Sequence, residues 1–399
     1  MRFLNAILLL FVLTFSVQGI LAQDAKEENK KEHKKKKDKD KEKTKISLID
    51  STDGALDVGE FLDMPEGILP IPVIITEPAI GYGGGLAVIM IKENKFTTPE
   101  KKLQPNISGV FGFGTQSKTW GVGIFHAHSF KHDKIRYTGV LAKTTINIKF
   151  YGVRSDNLDA KPVLLKMNNW FTMQRVIFRI KDTDLFIGPQ YSYFQTKNSI
   201  DSLLSRPVIP GFEKINGKSA ISMVTLLIQY DSRDNIFTPN KGLSTGVSAG
   251  YSSTFLGSSN DYWNINPYFL AYIPISKKVF SAYRFDSQFA FGDVLLYAKP
   301  FIEMRGVPAM RYQGNYTMLV QTEWRGYVYR RWSLNGFVGT GKAFDDFADF
   351  NDANWIYDYG AGFRYLMARR YDLNVGMDFA WSNNGDFAFY IQVGTAWNK

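Results

Sequence analysis

Few residues in this chain are spaced for catalysis. His126 and His128 form its one close histidine pair and could offer two imidazole nitrogens to a metal, yet no carboxylate partner stands beside them. They share parity with Trp120, Val122 and Ile124, so the plainer expectation is a place at a membrane interface. With 4 His and no Cys in the chain, a Ser–His hydrolase or thiol chemistry has little to draw on. Gly81-Tyr82-Gly83-Gly84-Gly85 has the glycine density of a phosphate loop. It leads into strand-like Leu86–Ile91, with no helix after it and no acidic residue about twenty positions on. Glycines where the backbone crowds another element are the better account. No catalytic residue, cofactor or metal is expected, and the chain reads as a non-enzyme.

The residues that stand out are polar groups set singly into an apolar frame. Asp231-Ser232-Arg233-Asp234-Asn235-Ile236-Phe237-Thr238-Pro239-Asn240-Lys241-Gly242 is a compact turn. Its Asp and Asn offer side-chain-to-backbone hydrogen bonds, Pro239 stiffens it and Gly242 starts the next strand. Arg305-Gly306 lies in the long stretch Gly292–Gly314, and Glu323 and Arg325 lie one residue apart on the same parity just after it.

The elements that must position these groups are strands. In Phe387–Trp397, residues Phe387, Phe389, Ile391, Val393 and Trp397 alternate with Ala388, Tyr390, Gln392, Gly394 and Ala396. Successive strand side chains point to opposite faces, so one face is apolar and the other small or polar. The pattern repeats at Leu373–Trp381, Tyr357–Tyr365, Tyr316–Val328 and Val224–Tyr230, with Asn383-Asn384-Gly385 supplying a tight turn. These strands are longer than the five or six residues typical of soluble sheets. Short links at Lys181–Asp184, Pro274–Lys278, Tyr329–Trp332 and Ala368–Asp372 alternate with longer ones at Val153–Pro162, Lys197–Lys218, Gly292–Gly314 and Phe344–Asn354. Alternating apolar and polar faces, short turns at one end and long loops at the other define a transmembrane β-barrel with lipid outside and a wet lumen inside. Pro72–Thr76 makes a short first strand, and the count predicts a 16-stranded antiparallel barrel with both termini in the periplasm.

The N-terminus agrees with export. Met1–Ala22 has the positive start, short apolar core and small-residue site of a signal peptide, so the domains expected are 1–22 signal peptide, 23–67 disordered charged segment and 68–399 barrel. Between Asp24 and Lys45 eleven Lys face seven Asp or Glu with almost nothing apolar, a composition that cannot bury a core. The tract reads as a solvated spacer or a tether to anionic headgroups, and the net charge of +10 does not imply nucleic acid in an exported chain.

Together these segments resemble the BamA/TamA-like bacterial surface antigen superfamily of outer-membrane barrels over roughly 68–399. Asp231, Arg233, Asn235, Pro239 and Gly242 resemble its Asp-x-Arg-Asn-x-x-x-Pro-x-x-Gly turn, with one residue added between Arg233 and Asn235. Met304-Arg305-Gly306-Val307 resembles the element that the sixth extracellular loop folds into the lumen. Glu323-x-Arg325 and Gly394-Thr395-Ala396-Trp397 match the strands that follow. The family's acidic partner for the loop arginine is replaced here by Gly339, two positions after Phe337, so Glu323, Asp286 or Asp378 must serve instead. Gln23–Glu66 is too short for the POTRA domains of the assembly members, which makes this a short, barrel-only branch.

The resemblance implies aid to outer-membrane protein or lipid assembly or translocation through a lateral seam between first and last strands, at Val73, Ile75, Phe389, Ile391 and Trp397. Pro70 and Pro72 weaken that seam because they cannot donate ladder hydrogen bonds. The partners it implies are outer-membrane lipids including lipopolysaccharide, unfolded outer-membrane proteins and periplasmic factors. The alternative is a passive pore or structural barrel plugged by residues 292–314.

Overall fold

The computed structural model describes residues 48–59, 68–92, 106–150, 163–200, 217–235, 237–369 and 372–397. The expected signal peptide at 1–22 and the Lys-rich tract lie outside the described residues.

Sixteen strands run in chain order around one antiparallel sheet. They are β1 (Ile68–Ile75), β2 (Gly83–Lys92), β3 (Asn106–Thr115), β4 (Trp120–Phe130), β5 (Ile135–Phe150), β6 (Val163–Arg179), β7 (Leu185–Ile200) and β8 (Gly217–Asp231). The sheet continues through β9 (Gly242–Ser252), β10 (Tyr262–Pro274), β11 (Val279–Gly292), β12 (Tyr316–Tyr329), β13 (Trp332–Phe344), β14 (Ile356–Ala368), β15 (Leu373–Ser382) and β16 (Phe387–Val393). Each strand pairs with its sequence neighbours, and β1 and β16 lie side by side, so the sheet curls into a nearly closed barrel.

The alternation dictates the outer surface. Val122, Ile124, Leu226, Val320 and Val338 are each half exposed along the middle of the wall, bordered by Trp120, Trp170, Trp263 and Trp332. Apolar side chains so widely exposed have no place against water, but they are the required surface against lipid. His126 and His128 face the same way beside Phe130, whose ring lies 4.0 Å from that of His128, and His126 Nδ1 lies 2.7 Å from the Ser108 hydroxyl.

The interior departs from a wet lumen. Over β4–β8 the inward positions include Phe125, Val140, Ile146, Leu165, Met167, Phe171 and Met223, all buried in one apolar cluster. The loop between β11 and β12 turns inward and adds Tyr297, Ala298, Phe301 and Met310 to that cluster. Burying such side chains stabilises by roughly 1.5–3 kcal/mol each. A strand can show outward-apolar alternation and still carry apolar residues inward when a loop is there to cover them.

Two expectations at the termini need correction. The last strand ends at Val393 rather than continuing to Trp397, because Gly394 takes φ 78° and turns the chain inward. Trp397 is therefore not on the lipid face; it is buried against Leu270 and Tyr272 inside the barrel. The disorder expected over 23–67 also does not hold for residues 48–59, the only described part of that segment. There Ile49 bridges Leu56, and Asp50, Asp53 and Asp57 all grip Arg331, in the β12–β13 turn, at 2.6–2.7 Å. A guanidinium fork with several donors suits three carboxylates at once. The hydrogen bond from Arg331 depresses the Asp53 carboxyl to about 2.

Candidate functional site

Arg305 is carried by the inward-folded loop and lies buried in mid-barrel. Gly306 takes φ 81° and presses so close to the Ala380–Trp381 backbone that a Cβ would crowd it. Its N–H donates to the Tyr390 hydroxyl of β16 at 3.1 Å. The loop is thus seated directly against β15 and β16, where only glycine fits.

Arg305 Nη1 lies 2.7 Å from Glu323 Oε2 and 2.7 Å from Asp378 Oδ2, and its guanidinium covers the Phe337 ring at 3.4 Å. Two of the three carboxylates expected to replace the family's acid therefore meet it. Asp286 instead pairs with Arg284 at 2.9 Å. The geometry also explains Gly339. A side chain there would collide with Gln321 and with the Asp358 carboxylate, which comes from β14 to occupy that space.

Asp378 is the hub, with 0% of its surface exposed. It accepts from Arg305, from both Nη atoms of Arg364 at 2.8 Å, and from Asn335 Nδ2 at 2.9 Å. Gln321 links the cluster sideways, donating to Asp358 at 2.7 Å and accepting from Arg284 at 2.8 Å. A carboxylate so far from water survives as an ion only when its lone pairs are filled by cationic donors.

The turn after β8 is more than a link. Arg233 and Asp231 pair at 2.6 Å, and Asn235 Oδ1 accepts from the Phe237 and Thr238 N–H groups at 2.6 and 3.1 Å. Gly242 takes φ 114° beside the Ser232 carbonyl. So shaped, the turn reaches across the barrel floor. Phe237 O accepts from Thr395 N–H, Thr238 Oγ1 accepts from Asn374 N–H at 3.2 Å, and Asn240 Oδ1 accepts from Arg325. Pro239, Glu323, Arg325, Arg364 and Trp397 enclose a cavity of about 20 Å³ between this floor and the Arg305 cluster. That is room for about one water.

Val73 and Ile75 of β1 point inward and Phe389 and Ile391 of β16 outward, while Trp397 has left the seam for the floor. Among the described residues no ladder register joins β1 to β16. What spans the gap is a stack of Tyr82 on Phe389, ring centroids 5.5 Å apart, and the loop bonding to Tyr390 on one side and Glu77 on the other. Asn335, Asp358, Arg364 and Tyr390 were not singled out by motif, although lone polar groups on the inward parity were their available signal.

The Omp85 superfamily domain matches residues 95–336, more than half of the chain. No curated protein matches the sequence. Among solved structures, BamA from Haemophilus ducreyi lacking POTRA domains 1–3 is similar at 12% identity and TM-score 0.54, covering 82% of this chain and 70% of that one. CdiB from Acinetobacter baumannii (10%, TM-score 0.52) and CdiB from Escherichia coli (9%, TM-score 0.53) are each similar over 82% of this chain. The chain spans 59% and 62% of those two CdiB chains, less than two thirds of either. At such identities the structures speak to the fold alone, while the domain match carries the family, so this chain belongs to the Omp85 superfamily of Gram-negative outer-membrane β-barrels.

Proposed function

We propose that this barrel helps insert or move polypeptide or lipid at the outer membrane through its β1–β16 seam. The observation that carries the reading is the missing ladder between β1 and β16 in a sheet otherwise paired strand by strand. Strand edges left unpaired can template another strand. Here β1 has 8 residues with Pro70 and Pro72 among them, and β16 has 7. The Arg305 loop leans on β15 and β16, so it can hold the mobile edge in place while the gap opens. Outer-membrane proteins and lipids are the partners this reading requires, with periplasmic factors supplying the clients.

The alternative, a passive or structural barrel plugged by residues 292–314, draws on the same loop's apolar packing across the lumen. Introduced cysteines are unambiguous in a chain with no Cys. Cysteine pairs that share the outer face, Ile74 of β1 with Phe389 or Ile391 of β16, are expected to cross-link readily in the native membrane and to abolish complementation of a deletion strain. A Val224–Tyr251 pair on adjoining β8 and β9 is the harmless control. If locking the seam is silent while deleting the loop opens a large steady conductance in planar bilayers, the plugged-pore reading replaces this one.

A further inference from the structure

The tallest part of the wall carries a charge pattern that neither the seam nor the lumen uses. β5, β6 and β7 have 16, 17 and 16 residues and contain no Asp or Glu, and the one acid of β8, Asp231, sits at its periplasmic end. Their outward apolar residues thin out above Leu141 and Trp170, with Leu164 the one large exception among the described residues. Above that belt the outward positions become Lys143, Thr145, Asn147 and Lys149 on β5, Lys166 and Asn168 on β6, Gln195 and Lys197 on β7, and Lys218 on β8.

Register brings these lysines together. Lys197 stands directly across from Lys218, Asn168 across from Lys197, and Lys166 across from Asn147. Like charges directly opposite on one face repel, and among the described residues no carboxylate pairs with Lys166, Lys197 or Lys218. Lys143 lies over the Trp170 ring at 4.8 Å, which fixes the height of this collar at the aromatic border of the lipid-facing band. On the neighbouring strands the Lys118 carbonyl accepts from Asn147 Nδ2 at 2.9 Å, which seats the β3–β4 turn beside the collar. A groove of about 500 Å³ then runs along the outer wall between Tyr82 and Trp120.

We propose that the extracellular outer wall of β5–β8, with Lys118, is a docking surface for the phosphorylated headgroups of outer-leaflet lipids. A phosphate bridging Lys197 and Lys218 turns their repulsion into two attractions, the amides of Asn168 and Gln195 offer donors beside it, and the groove accepts an acyl chain. The lysine collar on β5–β8 lies away from the seam, and only the Tyr82 end of the groove borders it, so headgroup docking stands whether or not the seam is a gate.

The test uses the full chain refolded in detergent micelles and titrated with lipid A, with bound lipid read by native mass spectrometry. Lipid A is expected to bind far better than its enzymatically dephosphorylated form. Lys166→Gln, Lys197→Gln and Lys218→Gln each weaken binding about five-fold, while Lys277→Gln in the β10–β11 turn leaves it unchanged. Lys197→Gln also raises the thermal midpoint of the lipid-free protein, because it removes an opposed pair of like charges. Equal binding of the dephosphorylated lipid overturns the proposal. So does equal weakening by Lys277→Gln, displacement of the lipid by millimolar inorganic phosphate, or a lower lipid-free midpoint for Lys197→Gln.

Discussion

Across one lumen the barrel presents two unlike walls to the same loop. On β4–β8 the inward residues include Phe125, Val140, Ile146, Leu165, Met167 and Met223 among uncharged polar groups such as Thr144, Asn169 and Thr196, and the loop meets the apolar ones with Tyr297, Phe301 and Met310. On β11–β15 they include Arg284, Asp286, Glu323, Arg325, Asp358, Arg364 and Asp378, and the loop meets them with Arg305. The apolar wall is built from strands of 15–17 residues over β5–β8, whereas the polar wall runs out to β15 and β16 with 10 and 7. Apolar burial is non-directional and tolerates small shifts of the loop. Buried ion pairs demand one geometry and are costly when a partner is lost. The loop is therefore cushioned on the far side and indexed on the side next to the seam, where a defined position matters to any opening of the wall.

The largest expected effect comes from breaking the index. Asp378→Ala leaves Arg305 and Arg364 buried without their shared anion and should cost about 3–5 kcal/mol, read as a lower urea midpoint for the heat-modifiable gel shift of the folded barrel. It should also expose the loop to protease. A cost under about 1 kcal/mol would mean that the polar wall contributes no more than a surface pair and that the contrast between the walls is empty.

A smaller effect is expected on the cushion. Ile146→Val removes one methylene from the apolar wall and should cost about 0.5–1.5 kcal/mol, with no gain in protease sensitivity of the loop. Its cost should also be independent of salt, because no charge is involved. Combining it with Asp378→Ala sharpens the comparison, since the two changes should add if the walls act separately.

The smallest effect belongs to charges that solvent can reach. Under the polar wall, Asp50, Asp53 and Asp57 hold the buried Arg331 at the barrel rim, their carboxylates 12–24% exposed and so partly screened by water. Asp53 is depressed in the folded state to about 2, below its ordinary value. A depressed carboxyl stabilises docking above its unfolded pKa and loses that contribution as pH falls through the folded value. Hydrogen exchange over residues 48–59 should thus be unchanged near neutral pH, rise as pH falls from about 4 towards 2, and rise at any pH in Arg331→Ala. Fast exchange already at neutral pH in the native protein would show that these rim ion pairs do not hold this segment at all.

Period-two alternation made the strands legible, because a strand between lipid and lumen must show a different face at every second residue. The alternation of short and long links made the barrel and its orientation legible for the same reason. Arg305, Glu323 and Asp378 could be named because a charge placed among glycines and aromatics needs a partner. Which carboxylate met Arg305 depended on register between strands far apart in sequence, and Asp286 went to Arg284 instead. The seam was foreshadowed by prolines, yet Trp397 left it, since alternation cannot show that Gly394 turns the chain inward. The sequence by itself determined the class of fold, the membrane-facing surface and the loop that enters the lumen, all set by local pattern. The choice of ion partners, the apolar half of the lumen and the floor built by the β8–β9 turn were decided by tertiary structure alone, because each depends on what closure of the sheet brings face to face.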